Sequence, residues 1–212
     1  MNPPEFDDSF LNTLDDLLIW RRDVRHFKTD PLEAGLLDQL LDRACLAPSV
    51  GNSQPWRFVQ VNAVARREKI IQDFKNCNSD ALSDYEGERA KLYASLKLAG
   101  LQNAPVHLAV FTDITTSSGH GLGRKTMPEM LHYSTICMIM SLWLIARARG
   151  VGIGWVSILN PGNVTTILDV PEGWTLGAYL CVGYPEKTGS TPELERLGWQ
   201  TRESTNRSVL ER

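Results

Sequence analysis

Apolar positions along this chain follow two periods, one helical and one extended, and together they lay out most of its elements. Residues 9–20 carry Phe10, Leu11, Leu14, Leu17 and Leu18 at the spacing of one helix face. A second helix is expected from residue 31. Asp30 can cap it, Pro31 suits its first position, and Glu33 can reach back as in a capping box. Leu36, Leu37, Leu40, Leu41 and Ala44 form its inward face, and Pro48 ends it. Short apolar runs at 57–61, 105–112, 151–158 and 175–183 read as strands. Helices are expected at 63–76, at 84–103 with Tyr85, Leu92, Leu96 and Leu101 on its apolar positions, and at 163–168. The stretch 128–149 is apolar on most sides and is closed by Gly150. Glu129, His132, Ser134, Thr135, Ser141 and Arg147 interrupt it too often for a membrane span of about 20 apolar residues. A helix apolar all round is a buried one, at the centre of a protomer or in a subunit interface.

Composition narrows this picture only a little. The chain has 212 residues, 42% hydrophobic and 22% charged, enough for one core, so residues 1–212 are read as one domain. A net charge of -3 gives no reason to expect nucleic acid or an anionic membrane as a partner. Cys45, Cys77, Cys137 and Cys181 lie far apart, as do the four histidines, so no metal site is expected. Four reduced core cysteines and a polar, acidic start without a leader point to a cytoplasmic protein. Residues 186–212 have few apolar anchors (Leu194, Leu197, Trp199, Val209) and must lie on the rest of the protein or on a second subunit.

The candidate chemistry is concentrated in four places. The run Arg21-Arg22-Asp23-Val24-Arg25 sets three guanidinium groups around one carboxylate. Arginine suits bidentate recognition of phosphate or of carbonyl-rich rings, and neighbouring cations lower a carboxylate pKa unless burial reverses this. The competing reading is a solvated helix end whose cations complement the helix dipole. Second, the loop 48–56 combines Gly51, Asn52 and Gln54 with two hydroxyls and two prolines. Its amides suit a heterocycle edge bearing both C=O and N–H, and a plain turn into a strand is the alternative. Third, Gly119, Gly121 and Gly123 make 113–126 either a lid or a surface loop; no nucleotide fingerprint is formed. Fourth, Gly152 and Gly154 precede Ser157 in an apolar run, and strand glycines mark close approach by a ligand or by another backbone.

The order of these motifs, ending with Gly-Ile-Gly-Trp-Val-Ser, a further strand and a polar tail, resembles the flavin-dependent nitroreductase family over nearly the whole chain. That resemblance implies an α+β fold, a mostly antiparallel central sheet flanked by helices, in an intertwined homodimer. It implies flavin mononucleotide (FMN) bound at the subunit interface, with the C-terminal extension 186–212 packing on the partner. By motif, Arg21, Arg22, Asp23, Val24 and Arg25 would contact the flavin. Asn52 matches the amide directed at the ring, Ser49 lies in the matching loop of the other subunit, and Arg202 in the tail would be a second phosphate contact.

Within the family the resemblance points to one branch. Ordinary members more often carry Ser where this chain has Asp23, and a Pro-Ile/Met-Glu-Gly-like turn where it has Val156-Ser157-Ile158-Leu159. Asp23, Ala-Pro-Ser-Val-Gly, Leu122-Gly123-Arg124, Gly154-Trp155-Val156-Ser157-Ile158 and Pro192-Glu193-Leu194 resemble the branch that consumes its flavin; Asn52-Ser53 follows the wider family. That branch implies reduced FMN as substrate and dioxygen as co-substrate. It yields 5,6-dimethylbenzimidazole, for the lower ligand of cobalamin, and erythrose 4-phosphate. A separate flavin reductase would supply the reduced flavin. Asp23 would then be the general acid/base and Ser157 its orienting hydroxyl, since a serine with no base beside it is a poor nucleophile. Two other readings remain: an NAD(P)H-dependent nitroreductase-type enzyme that keeps its flavin, and a non-catalytic flavin-binding module.

Overall fold

The computed structural model describes residues 3–82, 85–95, 100–203 and 208–212. In chain order its elements are α1 (Asp8–Trp20), α2 (Leu36–Ala44), β1 (Trp56–Gln60), α3 (Val64–Leu82), α4 (Gly87–Ser95), α5 (Gly100–Asn103), β2 (Val106–Asp113), α6 (Met130–Ala148), β3 (Gly152–Val156), α7 (Pro161–Leu168), β4 (Trp174–Gly183) and α8 (Glu193–Arg196). Single 3-10 turns occupy Val50–Asn52 and Ser118–Gly121. The long helix expected at 84–103 is represented by α4 and α5; its Asp84 and Leu96 lie outside the described residues.

Among the described residues four strands form one antiparallel sheet in the order β1-β2-β4-β3. Its central strands bury both faces, which is why they read as continuous apolar runs rather than as an alternation. Leu108 and Val110 of β2 and Leu180 and Val182 of β4 face a core completed by Leu36, Leu40 and Ala44 of α2 and Met138, Ile139, Leu142 and Ala146 of α6. Ala109, Phe111, Tyr179 and Cys181 face the other way, onto Phe27, Ile70, Leu101, Val164 and Leu168. The molecule is thus an α+β domain of three layers. By length and composition α6 is apolar enough to cross a membrane, yet its buried face is the middle of one core.

Two expectations need correction. The helix starts at Leu36, not at residue 31, and Gly35 rather than Asp30 stands at its N-cap. Gly35 has φ of 75°, a left-handed conformation glycine adopts without penalty, and Leu36 N donates to Glu33 O. The chain uses 31–35 as a turn that brings Leu36 and Leu40 onto the sheet. The cysteines are not all core residues: Cys181 is buried, Cys45 and Cys77 are half-buried, and Cys137 is exposed on the outer face of α6. Helix α1 has no buried residue: Phe10, Leu11, Leu18, Ile19 and Trp20 stay exposed, as do Tyr133, Ile136 and Met140 of α6.

One buried polar pair crosses the sheet. His107 Nδ1 lies 2.9 Å from the Tyr179 hydroxyl, both groups fully inside the core. Burial, with Arg67 nearby, lowers the His107 pKa to about 4. An unfolded histidine titrates near 6.5, so the unfolded chain binds more protons between these values and stability falls as pH drops from 6.5 toward 4. Thermal melts between pH 7 and 4 should show this acid loss, at most about 3 kcal/mol for this group. In His107→Gln that part of the slope should vanish. An unchanged slope would mean that other groups carry it.

Candidate functional site

The segment after α1 does not continue as a helix because it is captured by the sheet edge. Strand β3 is outermost, and its free edge would leave backbone groups unpaired. Val24 N donates to Ile153 O at 3.0 Å, and Trp155 N donates to Asp23 Oδ1 at 2.9 Å. A side chain thus fills a position that a neighbouring strand's carbonyl would otherwise take. The glycines of β3 make room for it. A Cβ on Gly152 would meet Val24 Cγ2 at 2.7 Å, and one on Gly154 would collide with Val24 O. What these glycines admit is another stretch of backbone. Val24 itself packs its side chain inward against Gly152 and the core.

With residues 23 and 24 pinned, the arginines are fixed around them. Arg21, Arg22, Asp23 and Arg25 line a cavity of about 190 Å³ together with Pro192, Glu193, Leu194 and Arg202. An adjoining cavity of about 330 Å³ shares Arg22, Asp23 and Glu193 and adds Lys187, Thr188, Gly189, Thr191 and Arg196. Arg22 is held open by carbonyls: its Nε donates to Ser190 O at 2.7 Å and its Nη1 to Arg21 O at 2.8 Å. The Arg21 guanidinium lies 4.7 Å from the centre of the Trp143 ring. Its Nε is buried without a hydrogen-bond partner among the described residues.

The electrostatics of the first cavity are unbalanced. Four guanidinium groups line it against two carboxylates, an excess of two positive charges. Burial lowers the pKa of Arg21, with Asp23 opposing and Arg202 adding to the effect. For Arg22 burial is again the main cause, with Arg21 and Arg202 adding to it. Cations crowded and desolvated in this way are a site for a dianion, and an unpartnered buried N–H is a donor awaiting one. Asp23 behaves in the opposite sense to a simple ion-pair partner. Its pKa is raised, chiefly by burial and also by Glu193, against the Trp155 N–H and Arg25, which lower it. The contact with Arg25 Nε is 3.6 Å, too long for a good hydrogen bond, so Asp23 Oδ2 remains available to a ligand.

The other expected residues lie apart. Ser157 is exposed on the turn just past β3, two residues beyond Trp155. Ser49 and Asn52 lie before β1, at the opposite edge of the sheet from β3. Ser49 Oγ accepts from Gln54 N at 3.0 Å, and Asn52 Oδ1 accepts from Gln54 Nε2 at 3.3 Å. Asn52 and Gln54 both have positive φ. The glycine-rich segment is pressed onto this loop: a Cβ on Gly119 would meet Gly51 O at 2.7 Å, and one on Gly123 would meet Val50 Cγ2 at 2.8 Å. One protomer therefore does not bring Ser49 or Asn52 to the arginine cavity. Arg202 does reach it, from a tail whose Trp199 packs on Tyr85 and Tyr93 of the same chain. Sequence reasoning did not select Glu193 as a site residue. It lines both cavities, and its Oε1 lies 3.8 Å from His26 Nε2. The signal available for it was the Pro192-Glu193-Leu194 run.

Known proteins resemble this arrangement at two levels. A model described as "Nitroreductase family" matches residues 18–184. The 5,6-dimethylbenzimidazole synthase of Rhodospirillum rubrum is 57% identical over 199 residues, 94% of this chain and 94% of the relative. That of Rhodobacter capsulatus is 46% identical over 195 residues, covering 92% and 94%. Among solved structures, an oxidised iodotyrosine deiodinase bound to FMN and 3-iodo-L-tyrosine has a TM-score of 0.71 at 22% identity, covering 93% of this chain and 97% of the other. A nitroreductase-like protein from Streptococcus mutans has a TM-score of 0.70 at 20% identity, covering 95% and 99%. At those identities the likeness is one of fold.

Proposed function

Since this chain belongs to the nitroreductase family, we propose that it converts reduced FMN and dioxygen to 5,6-dimethylbenzimidazole, for the lower ligand of cobalamin, and erythrose 4-phosphate. The observation that carries this reading is Asp23: a carboxylate of raised pKa, clamped by Trp155 N–H, inside a cavity of uncompensated arginines. The 57% identity to a 5,6-dimethylbenzimidazole synthase along almost the full length of both chains supports it.

The residues present fit a flavin phosphate. The excess of two positive charges matches a phosphate monoester of about -2 charge, and Arg21 Nε offers a free buried donor. Arg21, Arg22, Arg25 and Arg202 would hold that phosphate. When bound, reduced flavin supplies a ring able to react with dioxygen and the carbon skeleton of both products. The work of the chain is to move protons at defined atoms. Asp23, with Oδ1 occupied and Oδ2 free, gives or takes them at the ring or ribityl chain, and its raised pKa brings it toward the operating pH. Ser157, exposed on the turn just past β3, orients a ribityl hydroxyl.

Assembly completes the site. A second copy of the chain covers the exposed apolar faces of α1 and α6 and brings its Ser49 and Asn52 loop to the first copy's arginines. The end of the tail packs on that partner, and a separate flavin reductase supplies the substrate.

The test is to mix the protein with chemically reduced FMN in air and analyse the products by mass spectrometry. The expected product is 5,6-dimethylbenzimidazole. Steady NADH oxidation with a nitroaromatic acceptor, and no benzimidazole, would overturn the proposal in favour of a flavin-recycling enzyme. Arg202→Ala should bind FMN about tenfold or more weakly, the loss of one charge-assisted contact. Fluorescence quenching measures this; unchanged affinity would remove Arg202 from the phosphate site.

A further inference from the structure

We propose that Asp73, on α3, is a positioning residue for the Ser157 hydroxyl. The inference rests on the reading above, in which Ser157 takes part in the reaction.

Between the end of β3 at Val156 and the start of α7 at Pro161, the chain turns through four residues, with Ser157 exposed at their head. An exposed turn of this kind is ordinarily a mobile place for a functional group. Here it is fastened from beneath. Asp73 Oδ2 accepts from Asn160 N at 2.9 Å, and Asp73 Oδ1 accepts from Asn163 Nδ2 at 2.6 Å. Asn160 Oδ1 in turn accepts from Asn163 N at 3.1 Å, capping α7. Cys77 Sγ is 4.0 Å from Asp73 Oδ2.

Asp73 is buried, on the helix face that also carries Ile70. A carboxylate placed there costs free energy unless its oxygens are satisfied, and packing alone would be served better by an apolar side chain. Asp73 ties α3 to the start of α7, and α3 has a second tie farther along that helix. Arg66 Nη1 already donates to Ile167 O at 2.7 Å near the other end of α7, and Val164 and Leu168 are buried in the same core. What Asp73 adds is a fixed position for the turn itself. The geometry then has a simple order. Trp155 N–H holds Asp23, Ser157 follows two residues later, and Asp73 locks the turn that carries it. A site of this kind needs its groups held within a fraction of an ångström.

The experiment is a double-mutant cycle on the full-length protein. The rate of benzimidazole formation from reduced FMN in air is measured for the wild type, Asp73→Asn, Ser157→Ala and the double variant. FMN affinity and thermal stability are measured in parallel. An amide at position 73 turns one acceptor into a donor, so one of the two fastenings is lost. Asp73→Asn should slow product formation about tenfold with FMN affinity kept within about twofold. In the Ser157→Ala background the same change should cost less than about twofold, because the group it positions is gone. Equal losses in both backgrounds would show a merely structural role and overturn the proposal. If Ser157→Ala alone keeps the wild-type rate, Ser157 is not part of the reaction and its positioning falls with it. Absence of benzimidazole from the wild type would instead overturn the proposed function. Where Asp73→Asn yields no folded protein, Asn163→Ala, which removes one donor from the same carboxylate, carries the identical cycle.

Discussion

Asp23→Asn is expected to bind FMN at least as tightly as the wild type and to form 5,6-dimethylbenzimidazole at least about a hundredfold more slowly, the usual effect of removing a positioned acid/base. The amide keeps the shape of the carboxylate, and its oxygen can still accept from Trp155 N, so the segment stays on β3. It removes one negative charge from a cavity that holds a phosphate, which favours the ligand. What it cannot do is exchange a proton. The folded protein should not suffer. Burial raises the pKa of Asp23 above its ordinary value, so between those two values the folded state holds a proton that the unfolded state has lost. Stability therefore declines as pH rises through that window, and the amide abolishes the decline. A melting temperature at pH 7 equal to or above that of the wild type is the expected result. Product at the wild-type rate would exclude Asp23 from the chemistry.

Gly154→Ala is expected to lose both stability and flavin binding. The added methyl would occupy the place of Val24 O, a backbone atom that cannot rotate away. Relief requires the 23–27 segment to leave the edge of β3. That breaks the Val24 N to Ile153 O bond and the Trp155 N to Asp23 Oδ1 bond together. Overpacking and two lost hydrogen bonds amount to about 2–4 kcal/mol, or roughly 5–15 °C in melting temperature for a chain of this size. The arginines ride on the same segment, so FMN affinity should fall with it. Gly152→Ala meets the Val24 side chain instead and should cost less. A Gly154→Ala protein with native stability and affinity would show that the segment is not held as described.

Much of this was legible in the sequence, and for identifiable reasons. The strands, α6 and α7 announced themselves because apolar periodicity is a local signal. The cluster at 21–25 was visible as charge density, and Asp23 stood out as a carboxylate where cations dominate. Other features misled because they are local too. Asp30-Pro31-Leu32-Glu33 satisfies the chemistry of a helix start, yet burying Leu36 and Leu40 required the chain to turn at Gly35 first. Gly152 and Gly154 pointed to close approach but not to what approaches, since the partner, Val24, is more than a hundred residues away. Glu193 could not be placed beside Asp23 by spacing, because a polar tail carries no period.

The sequence alone determined the elements, the family and the residue types available for chemistry, because composition and period are properties of neighbours along the chain. Only the tertiary structure decided what those residues do to one another. Sheet order leaves β3 with a free edge; the free edge captures residues 23 and 24; that capture half-buries Asp23 among arginines and decides the direction of its pKa, which the sequence left open. The neighbouring Arg25 acts to lower it, and desolvation outweighs that effect. Burial is a property of the packed molecule, which is why no reading of five consecutive residues could settle the matter.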